Sequence, residues 1–342
     1  PKRQRPLIAI LGSNDGTEIT DYLMPTGILR RADVADVVTV STGPGPVQLY
    51  PALTVRADET TAAFDARHPE GADYVIVPAM TRDDDPQVIG WLRDQASRGA
   101  VIVGVCAGAK VVGAAGLLDG RRATTHWYYR PELLARSPTM AWVPDRRLVV
   151  DHGIATTTGI SASMPMMLTL VEAIAGADRA SSLARDLGLA RWDIWHDSEA
   201  FRLNRPFATT VLSNQVAFWR HERLDVALAD GVDEVSLALV LDAWSRTYRS
   251  QAVAIAPDNQ PIRTRHGVLI LPDRDRQAPL PAAGNPGRSG DARQGGAASP
   301  MPVPRLADAV ADRPADALEQ TLRVIAGRYG QATAEVVAMQ LE

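Results

Sequence analysis

The chain has one cysteine in 342 residues, so it can form no internal disulfide and needs no oxidising compartment. It also lacks an uninterrupted apolar run long enough to span a bilayer, because Lys110 breaks the best candidate. Positive charge is not in excess. Thirty-six Lys and Arg face 40 Asp and Glu, and a net charge of −4 gives no bulk attraction to nucleic acid or to an anionic membrane. His68, His152, His196, His221 and His266 show no metal-ligand spacing, and "TGPGP" lacks the G-x-G-x-x-G order of a dinucleotide site. The C-terminal helical run has too few basic residues for a helix-turn-helix. No metal or cofactor is implied. "TRDDDP" reads as a solvated loop before a helix. The basic start "PKRQRP" leads into a strand-like segment rather than a signal-peptide core, which favours a cytoplasmic protein. The absent initiator Met leaves an exported form open.

What is present is ordinary soluble composition, 46% hydrophobic and 22% charged. From residue 7 onward, strand-like runs alternate with helix-like ones: "LIAILG", "DYLMPTGILRRA", "VVTVST", "ADYVIVPA", "PQVIGWLRDQASRG", "AVIVGV". "RRATTHW", "IATTTG" and the helix "SASMPMMLTLVEAIAG" follow. Near-continuous apolar strands separated by helices indicate a mostly parallel sheet covered on both faces. Residues 1–190 therefore read as one α/β domain of three layers.

The second half repeats part of this order. Residues 191–222 read as a connector, helical or extended around "VLSNQVAFWRHERLD". Residues 223–274 then follow the sequence strand, Gly-acid turn, helix, strand, as the N-terminus does. In that comparison Glu234 matches Glu18, Leu237 matches Asp21 and Leu241 matches Pro25. Residues 275–305 are rich in Pro, Gly, Ala and Ser and read as a disordered linker. Residues 306–342 resume with helices that share "IAG" with the end of the first half. The pattern fits a degenerate partial repeat without the cysteine, or chance similarity between generic α/β segments.

The chemistry concentrates at "AVIVGVCAGAKVVGAAGLLDG", residues 100–120. Four of the five residues before Cys106 are Val or Ile, and small residues then open a helix. A strand running into a helix through a tight turn presents the turn residue above the sheet edge where open α/β folds bind ligands. Unpaired N–H groups at the helix start would lower the thiol's pKa. Ala107 and Gly108 would let backbone approach a substrate. The alternative is a buried cysteine acting as a small hydrophobe.

"VGVCAGAKVVGAAGLLDGRRATTHW" resembles the nucleophile region of the ThiJ/PfpI superfamily, within the class I glutamine-amidotransferase-like fold. The similar branch is the one holding isonitrile hydratase and the sensor domains of AraC-type regulators. The likeness covers about residues 6 to 190. It implies a flavodoxin-like parallel sheet, a reactive cysteine at a nucleophile elbow, and an acid reaching it from the first strand-to-helix region. That acid falls on Asp21, four residues before Pro25, with Glu18 as second choice. An acid beside a thiolate tends to keep its proton, and the two titrate as a unit. Asp21 read alone also suits helix capping or the first turn. His126, in "ATTHW", stands where relatives with deglycase or glyoxalase-like activity carry a histidine. It is either a base for Cys106 or a hydrogen-bonded residue of the sheet edge. Trp127 reads as a pocket wall.

Two positions depart from the family pattern. Ala107 replaces the hydroxyl residue that follows the cysteine in the isonitrile hydratase type, and Ala79-Met80 replaces the Gly-Gly that lines the anion pocket. The resemblance implies a cysteine-dependent hydratase, hydrolase or lyase acting on a small electrophile. Cys106 would attack, and N–H groups near Ala107 and Met80 would hold the developing anion. The departures favour the rival reading, a ligand or redox sensor. The expected partner is a small molecule, in a homodimer or an intrachain pseudo-dimer.

Overall fold

A computed structural model describes residues 2–256, 260–271 and 313–342. The linker expected at 275–305 lies outside the described residues, as do 272–274 and 306–312 of the segments flanking it.

The centre is a seven-stranded sheet. Its order is Leu148–Asp151, Ile154–Thr157, Val101–Gly104, Tyr74–Val77, Leu7–Gly12, Asp36–Ser41, Glu59–Thr60. All neighbours run parallel except the first two, which form an antiparallel pair. Leu7–Gly12 is an interior strand, and all six of its residues are buried. A parallel strand covered by helices on both faces demands that unbroken apolar run. The fold is the mostly parallel α/β arrangement that the alternation of segments predicted, in the flavodoxin-like form that the family resemblance implied.

The helix after the first strand, Ile19–Ala32, is buried nearly all round, and only Arg30 and Arg31 escape full burial. The reason is that it is covered on both sides. One side meets the sheet and the Ser163–Ala175 helix, and the other meets the Glu234–Ser245 helix of the second half. Glu18 caps it, accepting a hydrogen bond from the Asp21 N–H, and Asp33 ends it in the left-handed conformation.

The second half supplies a parallel strand pair, Glu222–Ala227 with Ser250–Ile255, joined through the Glu234–Ser245 helix. The ambiguous stretch of the connector resolves into a helix, Arg205–Val216, and a short 3-10 turn, Phe218–Arg220, before the strand. This half is built into the first. Leu269–Leu271 pairs antiparallel with Leu53–Arg56, extending a small sheet of the first half that also holds Thr17–Glu18. The C-terminal helices Pro314–Tyr329 and Gln331–Gln340 pack on the Glu234–Ser245 helix and on Arg205–Val216, respectively. The chain's last turn then docks on the first half: the Gly159 and Ser161 N–H groups donate to the carbonyls of Glu342 and Leu341. No helix among the described residues is long and apolar enough to cross a membrane.

The crossing of the Ile19–Ala32 and Glu234–Ser245 helices depends on Gly27. A Cβ there would lie 2.6 Å from both Glu234 Oε1 and Val235 Cγ2. Gly27→Leu should cost about 2 kcal/mol of unfolding free energy through overpacking, measured by urea denaturation; an unchanged midpoint would show that the two helices are free to separate.

Candidate active site

Cys106 sits between the Val101–Gly104 strand and the Gly108–Ala114 helix, with φ at 55°. A side chain in that left-handed region costs on the order of 1–3 kcal/mol and persists only where the surroundings enforce it. Two threonines do so. The Cys106 N–H donates to Thr157 Oγ1 at 2.9 Å, and its carbonyl accepts from Thr125 Oγ1 at 3.1 Å. Gly108 is required for packing: a Cβ there would stand 2.0 Å from the Val77 carbonyl oxygen. Its own N–H is spent on Val105 O, so it cannot serve a ligand.

The cysteine is 6% exposed and opens onto a cavity of about 640 Å³. Of the residues singled out from sequence, Ala79, Met80, Cys106, Ala107, His126 and Trp127 line it, while Asp21 and Gly108 do not. Glu18 does line it. The two acids are consecutive layers of one cluster. Glu18 Oε2 accepts from the Asp21 N–H at 2.7 Å and from Thr20 Oγ1 at 2.6 Å. Behind it, Asp21 Oδ2 accepts from the Ala79 N–H at 3.0 Å, and Oδ1 is buried without a hydrogen bond.

Sequence reasoning missed Arg246. From the second half it reaches Glu18 Oε1 with Nη2 at 3.2 Å, while its Nε holds Asp242 Oδ2 at 2.6 Å. The local signal was an Asp and an Arg four apart on a helix otherwise apolar, a spacing that puts both on one face. Burial pushes the Glu18 carboxyl up to about 7, and the Asp242 charge adds to this while Arg246 opposes it. Asp21 is driven well above its ordinary range by burial and then by Glu18. A carboxyl so shifted is disfavoured as an anion, which suits its unpartnered oxygen.

The expectation of a thiol made acidic by the helix start is corrected by this geometry. Burial raises the Cys106 pKa well above its usual value, and Asp21 and Glu18 push the same way. Arg246 and the Ala107 N–H oppose them without prevailing. The helix is only seven residues long, so its end carries little field against two adjacent carboxyls.

His126 is held by backbone on both sides. Its Nε2 lies 3.0 Å from the Gln340 carbonyl, and its Nδ1 accepts from the Tyr128 N–H at 3.2 Å. That fixes a neutral tautomer with the proton on Nε2. Trp127 Nε1 donates to the Met339 carbonyl at 2.7 Å, so the pair also anchors the C-terminal turn.

A cysteine at this turn, with an acid cluster reaching it from the start of the first helix, marks a flavodoxin-like domain with a cavity at the sheet edge. The chain belongs to the DJ-1/PfpI family, whose model matches residues 7–173. It is 36% identical over 157 residues to an isonitrile hydratase of Pseudomonas putida, covering 45% of this chain and 63% of that relative's length. An uncharacterized protein in the cpoL 5' region of Streptomyces lividans is 35% identical over 133 residues, 36% of this chain and 91% of the relative. The HTH-type transcriptional regulator GlxA of Rhizobium meliloti is 29% identical over 279 residues, 76% of this chain and 79% of the relative.

Burial lowers the His126 pKa from 6.5 to about 4. Between those values the unfolded chain binds the proton and the folded one does not, so this residue's contribution to stability falls as pH drops from 6.5 toward 4. Relative to His126→Gln, the native protein should therefore lose about 3 kcal/mol across that window. Urea denaturation of both proteins at pH 7 and pH 4.5 checks this; a pH-independent difference would contradict it.

Proposed function

We propose that this protein is a cysteine-dependent enzyme of the hydratase, hydrolase or lyase type acting on an electrophilic carbon. The observation that carries this reading is Cys106, forced into φ 55° at the floor of a cavity that Glu18 also lines. The thiol is neutral before substrate arrives, so attack requires a proton acceptor. The Glu18 carboxyl, poised near 7, can take that proton as the sulfur–carbon bond forms. It then returns the proton to the atom that gains the electron pair. Water afterwards displaces carbon from sulfur, and the thiol is regenerated. The Ala107 N–H, which acts on the Cys106 sulfur, and the backbone near Met80 would steady the developing anion. Asp21 supports Glu18 from behind, its N–H donating to Glu18 Oε2.

We read the second half as a degenerate repeat forming an intrachain pseudo-dimer, a reading supported by the packing of its Glu234–Ser245 helix on Ile19–Ala32. Arg246 is its contribution to the acid cluster. A ligand or redox sensor is the competing reading. It is supported by the similarity to a transcriptional regulator and by Ala107 in place of a hydroxyl residue.

With an isonitrile or a 2-oxoaldehyde as substrate, Cys106→Ala should abolish turnover, and Glu18→Gln should lower kcat by about 10²- to 10⁴-fold. Full activity of Cys106→Ala would end the mechanism. Absence of turnover, together with peroxide-dependent mass gain at Cys106, would establish the sensor instead. Alkylation of Cys106 by iodoacetamide should keep accelerating above pH 9; a plateau at pH 5–6 would contradict a raised thiol pKa.

A further inference from the structure

The outer wall of the cavity comes from outside the segment that matches the family model. Phe207, Ala208, Val211, Leu212 and Gln215 of the Arg205–Val216 helix face it. Their spacing of one, three and four residues is one stripe of a helix, apolar except at its end. Tyr248 and Gln340 add to the wall from the second half. Leu203 and Leu212 remain 62% and 61% exposed beside this opening, and apolar surface of that kind is left for a ligand to cover.

The charged groups around the cavity are already matched. Glu18 is paired with Arg246, and Arg246 with Asp242. Lys110 is paired with Asp83 at 2.5 Å and with Glu132 at 3.1 Å, and Asp83 is also held by Arg136. His126 is neutral. A charged ligand entering here would surrender its hydration without gaining a counter-charge. The volume of about 640 Å³ is in the range that holds drug-sized molecules, and far exceeds a two- or three-carbon dicarbonyl.

We propose that the ligand is a neutral molecule with a bulky apolar body, ring or alkyl chain, and a small polar head. The head is turned to Cys106, the body lies against the Phe207–Leu212 stripe, and the second half therefore sets specificity. The proposal rests on the reading that Cys106 faces the ligand, and it is tested without relying on turnover.

Three unreactive probes separate the contributions: 4-phenylbutanamide, 4-phenylbutanoate and acetamide. In calorimetry on the full chain carrying Cys106→Ser, 4-phenylbutanamide should bind at least tenfold more tightly than either of the others. Val211→Asp should weaken it at least tenfold, and Val211→Leu should restore it, which separates loss of the wall from loss of the fold. Equal binding of the three probes, or tighter binding of the carboxylate, would overturn the proposal. In the native protein, 4-phenylbutanamide should slow iodoacetamide alkylation of Cys106. Binding without protection would leave the apolar pocket standing while refuting the placement of the ligand head at the sulfur.

Discussion

The pairing of Glu18 with Arg246 joins two parts of the chain that sequence keeps 228 residues apart. A carboxylate and a guanidinium withdrawn from water lose several kcal/mol of hydration each, and recover it only through one another and through further hydrogen bonds. Glu18 has those from Thr20 and the Asp21 N–H, and Arg246 has them from Asp242. Remove the cation and the buried carboxyls of Glu18, Asp21 and Asp242 stand together without a counter-charge. The second half is thus part of the site's electrostatics, and the close approach at Gly27 is part of what keeps it in place.

Most of the first half was legible because its physics is local. Unbroken apolar strands and the small residues after Cys106 announce a covered parallel sheet and a tight strand-to-helix turn. The ranking of the two acids was not legible. Asp21 and Glu18 stand three residues apart at the start of one helix, and which of them caps it depends on where the helix begins. The structure starts it at Ile19, so Glu18 becomes the cap and faces the cavity. The direction of the thiol shift was hidden for a related reason. Sequence displays a helix terminus but neither the depth of the sulfur nor the carboxyls beside it.

His126 shows the same limit from the other side. A histidine next to Thr125 in the right stretch invites a role as base, yet its ring is engaged by a carbonyl 214 residues away. That contact ties the imidazole, Trp127 and the last turn of the chain into one rigid corner of the cavity. The corner fixes a tautomer, and a fixed neutral imidazole cannot exchange protons with the cysteine while both of its nitrogens are so occupied.

A thiol kept protonated is a poor nucleophile in water, but water is what a bulky ligand would expel from this cavity. With the opening covered, charges inside interact more strongly, and proton transfer from sulfur to Glu18 takes a negative charge away from the Arg246 contact, so it proceeds only as the electron pair passes on from sulfur to the ligand's carbon. The Glu18–Arg246 contact of the resting protein therefore opposes deprotonation of the thiol while no electrophile is present. An acid cluster that raises the thiol's pKa and an arginine that holds the proton's acceptor as an ion-paired carboxylate are two aspects of one arrangement. It restrains the cysteine until something occupies the space in front of it.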